Sequence, residues 1–207
     1  MSKLPLHNLF IPSKKESNKL IIILHGRGDS SEGFRFFPQE LGLNDVNYLL
    51  LDAPFEYYTG FSWYPLPPDQ LPGIEYSSKI LTKVFDKLFA SEFSAAESFL
   101  FGFSQGSLLT FEFGARYHQV LAGYIAVSGY IYDTNKLLAE MNKEVKNAAW
   151  LCTHGVNDDV LAFETSKKQV HTLQENNFAV EFKSYNKGHT LDRDELIMIS
   201  KWIKEWL

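Results

Sequence analysis

The 207-residue sequence predicts an α/β fold: one domain over residues 1–207, with a mainly parallel central sheet and helices on both of its faces. Three observations predict it. Aliphatic runs of strand length alternate with stretches whose apolar residues recur at helical spacing. Most connections between them are a few residues long, as in successive βαβ units. And the stretch Phe99 to Leu109 passes from an apolar run through Gly102-Phe103-Ser104-Gln105-Gly106 into a helix-compatible segment, an order of strand, tight turn and helix.

Each element follows from local composition. Residues 4–11 read as a short edge strand, interrupted by Pro5 and closed by Pro12. Ser13 to Lys19 is polar and turn-like. Leu20–Leu24 is continuously aliphatic, the pattern of a strand covered on both faces. It runs into His25-Gly26-Arg27-Gly28-Asp29-Ser30-Ser31, where Ser30 or Ser31 suits the cap of a helix over about Glu32–Leu41. Val46–Leu51 is a second strand. Asp52 to Gly73 is a long loop that carries Pro54, Pro65, Pro67, Pro68 and Pro72 among Phe55, Tyr57, Tyr58, Phe61, Trp63 and Tyr64. A loop of that length in a compact domain is functional or disordered, and the aromatics argue against disorder. Ile80, Leu81, Val84, Phe85 and Leu88 mark an amphipathic helix over Ile74–Phe89. Strand 98–103 and a helix to about Tyr117 follow. Then come a strand at Leu121–Val127, a short helix at Asn135–Met141, a strand at Ala148–Thr153 and a helix at Phe163–Asn176. An outer strand at Phe178–Ser184 precedes the final helix, which begins at Asp192.

Composition narrows the function classes. The chain is 45% hydrophobic and 22% charged, which fits a globular core. A net charge of −5, spread along the chain, argues against a nucleic-acid-binding surface and gives no basic patch for anionic lipid. The single cysteine, Cys152, has no partner for an intramolecular disulfide and reads as a small buried hydrophobe. Met1 to Pro12 lacks the apolar core of a signal peptide, and no run approaches the ~18 apolar residues of a membrane span. A soluble, cytoplasmic protein without stable membrane insertion is the expectation. Nothing in the sequence fixes an oligomeric state.

The chemistry centres on Ser104. In a nucleophile elbow a serine hydroxyl stands at the strained apex between strand and helix. Gly102 and Gly106 suit it, because a side chain at either position would obstruct close packing of helix on strand. A serine needs a base, the base needs an orienting carboxylate, and the oxyanion formed on attack needs backbone N–H donors. In a parallel sheet such groups gather at the carboxyl ends of the strands. The loop after strand 148–153 supplies Asp158 and Asp159, which spacing alone does not separate. The loop after strand 178–184 supplies His189. The order Ser, Asp, His is that of α/β-hydrolases. Gln105 offers its amide at the start of the elbow helix, and the Gly26-Arg27-Gly28 loop is where the second donor belongs. Of the other histidines, His7, His118 and His171 read as surface residues, and His25 and His154 as partners of loop backbone. Asp192 and Asp194 suit the first turn of the last helix. Arg27-Gly28-Asp29 is too short to carry weight as an adhesion motif. Gly26-x-Gly28 lacks the third glycine of a dinucleotide site, and no spacing fits zinc.

Leu24-His25-Gly26-x-Gly28-Asp29, the Trp63 loop, Gly102-Phe103-Ser104-Gln105-Gly106, Ser128-Gly129, His154-Gly155-x-x-Asp158 and Gly188-His189 run along nearly the whole chain. Through them it resembles the phospholipase/carboxylesterase family, the acyl-protein-thioesterase-like branch of the α/β-hydrolases. The resemblance implies that fold without a large cap domain, and cleavage of carboxylic esters or thioesters through an acyl-enzyme, with no cofactor. It places the acid on Asp158 and the oxyanion donors on the amides of Arg27 and Gln105. The chain departs from the family pattern at Arg27, Val156, Asp159 and Thr190, where a leucine, an acidic residue, a proline and an aliphatic residue are usual. The expected reading is a serine hydrolase acting on a small-molecule ester or thioester, with Trp63 and Tyr64 as an apolar wall for the acyl group. Rivals are a lysophospholipase or small peptidase of the same fold, and a non-catalytic binding module that retains it.

Overall fold

A computed structural model describes residues 3–90 and 92–207. Seven strands form the main sheet: β1 (Asn8–Ile11), β2 (Leu20–Leu24), β3 (Asn47–Leu51), β6 (Ser98–Phe103), β7 (Gly123–Val127), β8 (Ala149–Gly155) and β9 (Val180–Tyr185). Their spatial order is β1-β3-β2-β6-β7-β8-β9. Only β1 is antiparallel, pairing with β3 from Asn8↔Leu51 to Ile11↔Tyr48. All other neighbours are parallel. Because β6 lies between β2 and β7, its carboxyl end is flanked by the loops that leave both strands.

Side chains alternate across the sheet and build two cores. Ile21, Ile23, Phe99 and Phe101 face one side, where α1 (Phe37–Leu41) and α6 (Arg193–Trp206) bring Phe37, Leu41, Leu196, Ile199 and Ile203. Leu20, Ile22, Leu24 and Leu100 face the other. There α2 (Gln70–Phe89), α3 (Gln105–Glu112), α4 (Thr134–Glu140) and α5 (Phe163–Glu175) contribute Leu81, Phe85, Leu108, Leu137 and Leu173. Among the described residues, no large cap covers the sheet. Among the described residues, no helix is long and apolar enough to cross a membrane.

The structure revises several boundaries. The helix expected over 32–41 is confined to Phe37–Leu41, and neither serine caps it. The Ser31 amide donates instead to Asp52 Oδ1 (2.5 Å), the Ser30 hydroxyl accepts from Gly33 within a turn, and Pro38 opens the helix. The expected 52–73 loop is partly ordered. Phe55–Tyr57 (β4) and Gly60–Ser62 (β5) form an antiparallel hairpin, and α2 starts at Gln70 because a proline is tolerated in a helix's first turn. The elbow helix ends at Glu112, five residues before Tyr117, and continues as turns in which the Gly114 amide is shared between Leu109 and Thr110 carbonyls. Strand β8 runs on through His154 and Gly155, because β9 pairs with both.

Candidate active site

Ser104 follows β6 directly and adopts φ 54°, ψ −113°, a left-handed conformation that costs a non-glycine residue energy. The fold supports it from both sides. The Ser104 amide donates to Val127 O (2.9 Å) and its carbonyl accepts from Leu108 (3.2 Å). A Cβ at Gly102 would lie 2.1 Å from Gly106 O, and one at Gly106 would lie 2.1 Å from Leu24 O. Both glycines are therefore required for α3 to sit close on β6 and β2. That packing leaves the Ser104 hydroxyl at the carboxyl rim of the sheet.

Two loops meet it there. The Ser104 hydroxyl and His189 Nε2 are 2.9 Å apart, and His189 Nδ1 donates to Asp158 Oδ2 at 2.7 Å. Carboxylate oxygens only accept, so this contact fixes the proton of neutral His189 on Nδ1 and leaves Nε2 as acceptor for the hydroxyl. Asp158 Oδ1 accepts from the amides of Leu161 (2.8 Å) and Val160 (3.0 Å). Burial pushes the Asp158 carboxyl up. The Leu161 amide, the His189 ring and the Val160 amide more than offset that, so it stays below its ordinary value and remains charged. Asp159 is exposed and makes none of these contacts. Of the two aspartates that spacing left open, Asp158 is the one in contact with His189.

The loop after β2 is ordered around His25. A Cβ on Gly26 would meet Phe103 at 3.0 Å and the Ser104 Cβ at 3.4 Å, so the loop after β2 passes directly beside the elbow. His25 Nδ1 donates to Gly26 O (2.6 Å) and Nε2 accepts from the Ala53 amide (3.1 Å), as expected of a histidine serving loop backbone. The Gly28 amide donates to Phe61 O (2.7 Å). The Gln105 amide lies in the first turn of α3, where no intrahelical acceptor is available. The loop after β2 and the first turn of α3 thus adjoin Ser104 from two elements. Among the described residues, no three His, Cys, Asp or Glu side chains are gathered as a metal site.

A family model described as phospholipase/carboxylesterase matches residues 7–207. The chain belongs to the phospholipase/carboxylesterase family. It is accordingly a serine hydrolase with the α/β-hydrolase fold. It is 30% identical to carboxylesterase SOBER1 of Arabidopsis thaliana, over 90% of each chain. It is 25% identical to acyl-protein thioesterase 1 of Yarrowia lipolytica, over 94% of this chain and 95% of that one. Among solved structures, esterase PE8 superposes with a TM-score of 0.87 at 26% identity, covering 98% of this chain and 99% of the other.

Against the expectation for this family member, Trp63 and Tyr64 do not form a ligand-facing wall. They are 0% and 2% exposed. The Trp63 indole donates to His25 O (2.9 Å), and the buried Tyr64 packs in the core and meets the half-buried Tyr130. These aromatics fasten the 62–64 segment beneath the site. Gln105 completes the fastening: its Oε1 accepts from the Trp63 amide (2.9 Å) and its Nε2 donates to Tyr64 O (2.8 Å).

His154 serves loop backbone as expected, but sequence reasoning missed its approach to Asp158 and missed Lys187 and Glu195 altogether. His154, fully buried, donates through Nε2 to Leu161 O (2.9 Å) and lies 3.2 Å from Asp158 Oδ2. Burial holds its pKa below the ordinary histidine value despite that carbonyl and carboxylate, so it is neutral. Lys187 and Glu195 form a buried ion pair at 2.6 Å. Lys187 Nζ also donates to Thr190 O (2.6 Å) and Ser128 Oγ (3.3 Å), tying the His189 loop to α6 and to the end of β7. Only the i,i+4 spacing of His154 and Asp158 signalled any of this. The Lys187–Glu195 pair is a tertiary contact with no local signature.

Proposed function

We propose that Ser104 is the nucleophile, His189 the general base and acid, and Asp158 the orienting carboxylate in hydrolysis of small-molecule carboxylic esters or thioesters. The single observation that carries this reading is the continuous hydrogen-bonded chain from Ser104 Oγ through His189 to Asp158 Oδ2. Ser104 Oγ attacks the carbonyl carbon and its proton passes to His189 Nε2. The negative oxygen forms between the Arg27 and Gln105 amides, each such donor being worth roughly 10²–10³ in rate. The carbonyl carbon then loses its bond to the departing oxygen or sulfur, which takes the proton from His189. Water, deprotonated by His189, attacks the acyl-serine, and Ser104 leaves with that proton as the carboxylic acid departs. Asp158 keeps the imidazole in the productive tautomer and stabilises its charged form.

Two departures from the family pattern do not touch this chain: the Val156 side chain is 44% exposed, and Asp159 is exposed too. The purified protein is expected to hydrolyse p-nitrophenyl acetate and to label covalently with a fluorophosphonate. Ser104→Ala is expected to abolish both. Undiminished hydrolysis by that variant would refute the assignment, and failure of the wild type to label would favour a non-catalytic role.

A further inference from the structure

A cavity of about 400 Å³ opens beside His189, whose ring forms part of its wall. The rest of that wall is mainly apolar: Phe34, Phe36, Phe103, Leu191 and Leu196. Four rings make a continuous strip outward from the imidazole. Phe103 lies 5.2 Å from His189, Phe34 lies 6.4 Å from Phe103, and Phe36 lies 5.9 Å from Phe34. The strip ends at the mouth, where Phe36 is 45% exposed. Phe103, which lines the cavity, is the residue immediately before Ser104.

Proton transfer decides what belongs in this space. The departing oxygen or sulfur takes its proton from His189 Nε2, so it sits within hydrogen-bonding reach of that atom when the bond breaks. The group attached to it must extend into space that borders the imidazole. The charged residues at the cavity are Asp29 and Glu40 against Arg193, an excess of negative charge that disfavours an anion. The volume lies in the range of small-molecule pockets and suits a one- or two-ring group.

We propose that this cavity is the leaving-group subsite, and that it takes the neutral, aromatic alcohol or thiol portion of the ester or thioester. The proposal rests on the reading of His189 as proton donor.

Two acetate esters isolate it, because they share an acyl group and differ in the departing alcohol: benzyl acetate and ethyl acetate. The ratio of their kcat/KM values is the readout. In the wild type it favours benzyl acetate. Phe36→Ala should lower the ratio about 3- to 10-fold, the scale of one lost aromatic contact. Leu191→Trp, which fills the cavity, should lower it at least as much. Ile197→Ala, on the outer face of α6, should leave it unchanged. A ratio unmoved by both cavity variants, with turnover still dependent on Ser104, overturns the subsite alone. If the wild type cleaves neither ester, the catalytic reading fails instead. Benzyl alcohol titrated against ¹⁵N-labelled protein then decides: shifts centred on Phe36 and Leu191 support the site, and shifts elsewhere or none overturn it.

Discussion

Asp158 is held by more partners than any other group of the site, and the first predictions concern it. Its two oxygens accept from Leu161, Val160 and His189, and His154 approaches one of them. Asp158→Asn would present an amide donor to His189 Nδ1 and favour the wrong tautomer. In the serine protease triad the equivalent change costs ~10⁴ in kcat, and a loss of that order is expected here by steady-state kinetics. Asp159→Asn should change kcat less than threefold, roughly the scale of one exposed charge; the reverse ranking would overturn the choice of acid. His154→Phe removes the Leu161 contact together with the neighbour of Oδ2, and should lower kcat by about tenfold, the scale of one charge-assisted hydrogen bond. KM should change little, since His154 is fully buried. The meeting of Ser104 with His189 and the backbone contacts of His25 and His154 were legible in the sequence, because motif, chain order and a neighbouring glycine are local signals. Trp63 was misread for the converse reason. An aromatic in a proline-rich loop looks the same whether it faces ligand or core, and only the His25 and Gln105 contacts separate the two.

Among the elements, the loop between β9 and α6 depends on the Lys187–Glu195 pair. Removing one partner of a buried pair costs roughly 3–5 kcal/mol, whereas replacing both by apolar residues is often neutral. Lys187→Met should therefore lower unfolding free energy in urea by about that amount and slow turnover by releasing the Thr190 carbonyl. Lys187→Met combined with Glu195→Leu should recover most of the stability. It should not recover the rate, because the bond to Thr190 O is still missing. The elbow is less forgiving. The close approach of a Cβ at Gly106 to the Leu24 carbonyl means that Gly106→Ala must push α3 off β2. Folded protein from that variant should be scarce, and what folds should be inactive towards p-nitrophenyl acetate. The six parallel strands were predictable to within about two residues, since aliphatic runs under a covered sheet have few alternatives, whereas β1 starts four residues later than expected and the β4–β5 hairpin was not foreseen. The starts of α1 and α2 and the end of α3 were not. The start of α1 is set by Asp52, which captures the Ser31 amide from across the chain, and the stop of α3 by the shared amide of Gly114.

For the molecule as a whole, buried histidines set the response to acid. His25 and His154 are 1% and 0% exposed, and burial lowers both pKa values below 6.5. The unfolded chain takes up protons at these positions below about pH 6.5, and the folded chain resists. Their contribution to stability is thus present above that pH and lost as pH falls. Asp158, also lowered, acts in the same sense at more acidic pH. Glu112, whose carboxyl burial raises despite its Arg116 partner, acts in the opposite sense. Melting temperature followed by circular dichroism should fall from pH 7 to pH 5, and His154→Asn should flatten that slope. A wild-type slope of zero would contradict the neutral assignments. The sheet order itself was legible only as a class: alternating runs announce a parallel sheet, but nothing local says that β6 lies between β2 and β7.

One junction carries a kinetic consequence. The Gly28 amide bonds to Phe61 O, and a Cβ on Gly60 would lie 2.2 Å from the Gly28 carbonyl, so hairpin and the loop after β2 are locked as one piece. On the proposed roles, a substrate bulky enough to displace the hairpin drags the Arg27 amide with it. Discrimination by size on that flank would then be registered in the speed of acylation, leaving the strength of initial capture almost untouched.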